Sequence, residues 1–150
     1  MKRRLGFPHL RARQRGAAAV EFALVAIVFF MLLIGIVEMG RVLFTWNAAA
    51  EATRYGARVA VVCGLNDAAI LSRMQKIMPA LTAANVSVGY TPSGCSVATC
   101  QQVSVSIVNV PVTTFIPHAA MTLMVPPFAT TLPRESMLNA IEGHPNPVCT

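Results

Sequence analysis

Hydrophobic positions follow several different rhythms along this chain. Residues 22–37 carry no charge, and residues 17–20 extend the apolar stretch to twenty-one residues interrupted only by Glu21. As a helix rising about 1.5 Å per residue, such a stretch is roughly 30 Å long, close to one bilayer hydrocarbon core. The helical signal continues past it, because no proline occurs between Glu38 and Val62 and alanine is frequent. One helix over about residues 17–62 is predicted. Its outer half places small residues at every fourth position, Ala48, Ala52, Gly56 and Ala60, with Glu51, Arg54 and Arg58 able to pair along its surface. A stripe of small side chains lets another backbone approach closely, and packing against the chain's own domain is favoured over contact between subunits, since helices normally bury one face locally.

Gly64 is a natural helix stop, and Asn66 is placed to cap a second helix over residues 67–78. Ile70, Met74, Ile77, Met78 and Leu81 recur there at helical spacing toward a core, and Pro79 closes the segment. The period then shortens to two. Val86, Val88 and Tyr90, and later Val103, Val105 and Ile107, alternate with small or polar residues and predict two strands. Between them TPSGCSVATCQQ is rich in turn formers, so an antiparallel hairpin is expected. Pro111 marks a strand edge or bend. Residues 114–127 read as irregular or briefly helical, residues 128–132 as a last strand, and the tail HPNPVCT as loop. The expected class is α+β: a long N-terminal transmembrane helix continuing into a domain with a second helix and a small antiparallel sheet.

Composition agrees with a membrane segment: the chain is 55% hydrophobic and only 12% charged. Its formal charge of +6 is not a surface property. Lys2, Arg3, Arg4, Arg11, Arg13 and Arg15 precede Gly16 with no acidic residue among them, and the rest of the chain balances six basic against six acidic residues. This argues against a nucleic-acid-binding fold. Under the rule that Lys and Arg stay inside, it predicts a cytoplasmic N-terminus and a periplasmic C-terminal part. The organisation expected is a basic leader over residues 1–16, a transmembrane helix over 17–40 and a periplasmic domain over 41–150.

All four cysteines fall beyond the hydrophobic segment, on the side where an oxidising compartment permits disulfides. Cys95 with Cys100 across a loop, and Cys63 with Cys149, are the favoured pairs. Free thiols are the next alternative. Zinc ranks last, since there is no CxxC and His9, His118 and His144 show no ligand spacing. No cofactor, metal site or catalytic constellation is expected. GxSxG, HExxH and P-loop patterns are absent, and the single Asp, Asp67, stands at a helix start that favours a carboxylate anyway. Asn85-Val86-Ser87 matches a glycosylation acceptor, a pattern short enough to arise by chance.

Glu21 is the chemical anomaly. An ionised carboxylate near the middle of a membrane helix costs on the order of 2.5 to 3.5 kcal/mol, less at the headgroup boundary. One reading places it at that boundary, snorkelling into water. The other starts from Gly16: if a peptidase cut after it, Ala17 would gain an α-ammonium group one helical turn from Glu21, in the same chain or a neighbouring one.

The sequence RQRGAAAVEF resembles the processing site of type IV pilin-like proteins, with a basic leader, Gly at its last position, Glu at the fifth mature position and an aromatic, here Phe22, at the sixth. The following GIVEMGRVLFTWNAAAEATRYGARVAVV resembles the TadE-like proteins of bacterial tight-adherence (Flp) pilus systems, through Glu38, Gly40, Arg41, Asn47, Ala52, Arg54, Gly56, Ala57 and Arg58. FATTLPRES adds a weaker likeness near the C-terminus. The chain is not a good match to the major Flp pilin, which is shorter and usually has Tyr after the Glu. The resemblance implies a pilin-like periplasmic domain and a minor pseudopilin of the inner membrane, cut by a prepilin peptidase between Gly16 and Ala17. Glu21, with Phe22 beside it, would serve recognition or subunit registration. Implied partners are the peptidase, other pseudopilins and pilus assembly proteins, and membrane lipid.

The alternative is an uncleaved membrane-anchored or secreted periplasmic binding protein. Ala48-Ala49-Ala50 offers an AxA-like cleavage site, but it lies thirteen residues past the apolar run with Glu38 and Arg41 between.

Overall fold

The computed structural model describes residues 11–115 and 121–150, without the side chains of residues 11–15. Most of the basic leader (Lys2, Arg3 and Arg4 among it), together with His9 and His118, lies outside the described residues. The fold is α+β, and it divides into two units between Met39 and Gly40.

The first unit is the N-terminal part of helix α1, Arg11–Ala60. The helix begins before Ala17, where the sequence expectation placed its start. RARQRG contains no breaker stronger than a glycine, and Arg, Ala and Gln are good helix formers. Large side chains from Val20 to Met39 stand exposed, including Phe22, Leu24, Phe30 and Ile36. Among the described residues this is the one helix long and apolar enough to cross a membrane.

In the second unit the C-terminal part of α1 packs against helix α2, Ala68–Gln75, and a three-stranded antiparallel sheet of β1 (Val86–Thr91), β2 (Gln102–Ile107) and β5 (Phe128–Pro133), in the order β1-β2-β5. Alternation sets the faces. Val103, Val105 and Ile107 on the central strand are fully buried, with Val86, Val88 and Tyr90 half-buried beside them. The outward positions are small and uncharged, such as Ser87, Thr91 and Thr131. Ala49, Ala52, Thr53, Gly56, Ala57 and Ala60 form the buried face of α1. Their small size is what lets sheet and helix approach.

Gly56 shows how close that approach is. A methyl group there would stand 2.5 Å from Met74 Sδ, 2.8 Å from its Cγ and 3.3 Å from Val105 Cγ1. Met74 is itself fully buried, so it has little freedom to move aside. Alanine is a better helix former by about 1 kcal/mol, but overpacking a filled core costs about 1–3 kcal/mol. Gly56→Ala is expected to lower the melting temperature of the detergent-solubilised chain. An unchanged or raised value would show that the core yields.

Helix α2 departs from expectation at both ends. Its cap is Asp67, whose Oδ1 accepts from the Ala69 N–H at 2.8 Å. Asn66 instead adopts a left-handed conformation (φ 52), which asparagine tolerates better than most residues. The helix ends at Gln75 rather than Met78, because the residue before Pro79 is disfavoured in helical geometry. Met78 and Leu81 remain buried all the same.

Two short ribbons complete the unit. Strand β3, Pro111–Thr113, pairs with β4, Thr122–Met124, where no strand was expected. Pro111 opens β3, a position where a missing N–H is tolerated. The tail is not wholly loop either, since β6, Ala140–Ile141, pairs with β7, His144–Pro145. Glu142 (φ 52) and Gly143 (φ 81) form the two-residue turn between them, the left-handed pair that tight hairpins favour.

Candidate processing and assembly site

Gly16, Ala17, Glu21 and Phe22 all lie on α1 and are all exposed. Ala17 and Glu21 are one turn apart on the same side of the helix, so a charge on the nitrogen of residue 17 would lie within reach of the carboxylate. A side chain at position 16 would meet nothing within 4 Å. Glu21 makes no ion pair among the described residues. The group is an exposed carboxylate within the apolar stretch of α1, able to accept hydrogen bonds or compensate one cation.

The stripe expected on the outer half of α1 is divided in its surroundings. Ala52, Gly56 and Ala60 are buried within the second unit, and Ala48 is half-buried. Arg54 pairs with Glu51 at 3.5 Å on the exposed side. Such an exposed pair contributes little to stability.

The cysteines form two disulfides, Cys63–Cys149 and Cys95–Cys100, with Cα separations of 5.6 and 4.9 Å. The first pins the C-terminal segment beside the end of α1. There the carbonyls of the turn that follows the helix are met by that segment. Val61 O accepts from Glu135 N at 3.1 Å and Val62 O from Leu138 N at 2.9 Å. Asn139 joins the same junction, accepting from Gly64 N and donating to Asp67 Oδ2, both at 2.6 Å. Sequence reasoning did not single out Asn139, and no local signal marks it, because both partners are more than seventy residues away. Within FATTLPRES, Arg134 donates to the Val97 carbonyl in the small disulfide loop.

Several other polar groups serve the fold. The Asn85 side chain bonds to Thr82 Oγ1 at 2.6 Å and the Asn109 carbonyl at 3.0 Å, holding the ends of β1 and β2 together. The Tyr90 hydroxyl accepts from Asn66 N at 2.7 Å. Burial raises its pKa above the ordinary phenol value; the Asn66 N–H opposes this and the Asp67 charge adds to it. An open hollow of about 300 Å³ between α2 and β1 is lined by Asp67, Ile70, Leu71, Val86 and Val88. Both oxygens of Asp67 are already engaged there. Among the described residues no group of three or more His, Cys, Asp or Glu side chains could hold a metal ion.

Residues 16–58 match the family model described as TadE-like protein. This segment runs from Gly16 through the apolar stretch to Arg58, near the end of α1. No curated protein and no solved structure matches the chain.

Proposed function

We propose that this chain is a minor pseudopilin of a Tad/Flp system. It is inserted in the inner membrane with its N-terminus in the cytoplasm and its cysteine-bearing domain in the periplasm, then cut by a prepilin peptidase between Gly16 and Ala17. The observation that carries this reading is that the family match begins at Gly16, the boundary between the basic leader and the apolar helix. The exposed Glu21, five residues further on, supports it, and the two disulfides suit an oxidising compartment. Cleavage removes all six leader cations and leaves a formally balanced chain. It thereby removes much of what holds the N-terminus on the cytoplasmic side, so the helix passes more easily into an assembly with other pseudopilins.

N-terminal sequencing of the membrane-extracted protein tests the reading, with Ala17 as the expected first residue. Glu51 in first place would indicate conventional signal-peptide cleavage and a secreted protein. Intact Met1 in cells with an active prepilin peptidase would falsify the processing.

A further inference from the structure

Residues 77–133 contain no Asp, Glu, Lys or Arg, yet the segment treats solvent in two different ways. On the three-stranded sheet its outward side chains are mostly small and polar. On the β3–β4 ribbon and at its end four of them are large and apolar: Phe115 is 84% exposed, Met121 55%, Met124 56% and Leu123 36%. The ribbon is well made at this end. Thr114 N donates to Met121 O at 2.8 Å, and Met121 N to Thr114 Oγ1 at 2.8 Å. The exposure of Phe115 and Met121 therefore belongs to a hydrogen-bonded structure.

The ribbon is tied to α1 at Arg41, whose guanidinium donates to the Thr113 carbonyl. Arg41 follows Val37, the last residue of the uncharged run, by four helical residues, about 6 Å of rise. On the helix just beyond Arg41, Leu43 and Phe44 are exposed. We propose that the β3–β4 ribbon is a second membrane contact, with Phe115 and Met121 seated in the headgroup and upper acyl region of the leaflet from which α1 emerges. This rests on reading α1 as the membrane span. Lipid is the occupant because a segment tied to the helix within about one turn of the end of its span lies at interfacial depth, where apolar and aromatic side chains are favoured. Residues 111–124 carry no Asp, Glu, Lys or Arg, so the apolar contact of Phe115 and Met121 is expected to change little with salt.

The full chain, reconstituted in phosphatidylcholine vesicles with or without bromine on the upper acyl chain, provides the test. Single tryptophans replace Phe115, Met121, Val28 within the span, or Leu65 beyond the C-terminal end of α1; the signal of Trp46, the one native tryptophan, is subtracted. Phe115→Trp and Met121→Trp are expected to emit at shorter wavelength than Leu65→Trp and to lose most of their emission in brominated vesicles, at low and high salt alike. Phe115→Trp and Met121→Trp no more quenched than Leu65→Trp, with Val28→Trp quenched, overturns the proposal while leaving the span intact. Shielding from acrylamide that grows with protein density would then identify a second copy as the occupant. If Val28→Trp also escapes quenching, the span fails and the proposal falls with it.

Discussion

Replacing Gly16 with leucine is expected to leave the leader attached in cells with an active prepilin peptidase, detected as an uncut chain with Met1 at its N-terminus. The fold gives no reason for glycine at this position: it lies within α1, a Cβ would touch nothing, and glycine there costs about 1 kcal/mol of helix stability relative to alanine. Gly35 and Gly40 are equally open, so openness does not single out Gly16. Its position between six cations and the apolar run does. Because α1 passes through the proposed scissile bond, the local helix must loosen before a peptidase can grip an extended backbone, and glycine makes loosening cheapest. Leucine adds a side chain at the cut and stiffens the helix around it. The same change is expected to leave the melting of the second unit unaltered, which separates a cleavage defect from misfolding. Glu21→Ala is the contrasting variant: cleavage is expected to persist while filament assembly falls. Normal piliation with Glu21→Ala would remove registration from the roles of the carboxylate.

Much of this fold is legible in the chain because its elements differ in period. The apolar run and the alanine-rich half of α1 extend unbroken, and Val103, Val105 and Ile107 alternate as a central strand requires. The start of α1 was less legible because the expectation followed hydrophobicity, whereas residues 11–16 are helical through propensity alone. Strand β4 is not legible, since three residues just ahead of Pro126 and Pro127 carry too little alternation to read. The junction built from Val61, Val62, Gly64, Asn139 and Asp67 is held by backbone groups and amides, which leave no hydrophobic pattern. For the candidate site, the interval from Gly16 to Glu21 was visible at once. The structure adds that both residues are exposed and that a side chain at position 16 would touch nothing.

Cys63→Ala with Cys149→Ala is expected to destabilise the second unit far more than Cys95→Ala with Cys100→Ala. The chain-entropy model assigns a bridge spanning 86 residues about 4–5 kcal/mol, and one spanning 5 residues roughly 2 kcal/mol. Local structure sharpens the difference. The small loop is also held by Arg134 N donating to Gln101 O at 2.9 Å and by bonds between Ser96 and Thr99, all independent of its disulfide. The segment joined by Cys149 instead closes the end of α1 through a handful of hydrogen bonds, two on each of Val61 O and Val62 O, each contributing a net of about 1 kcal/mol. Without the long bridge those bonds must restrain a terminal segment whose freedom has just increased. The melting temperature of the second unit is expected to fall by roughly 15–25 °C, given the usual conversion for domains of this size. Faster amide exchange should appear first at Gly64, Glu135 and Leu138, whose N–H groups form the junction. Equal melting of the two double variants would mean that the hydrogen bonds at Val61, Val62 and Asn139 hold the junction without the covalent link.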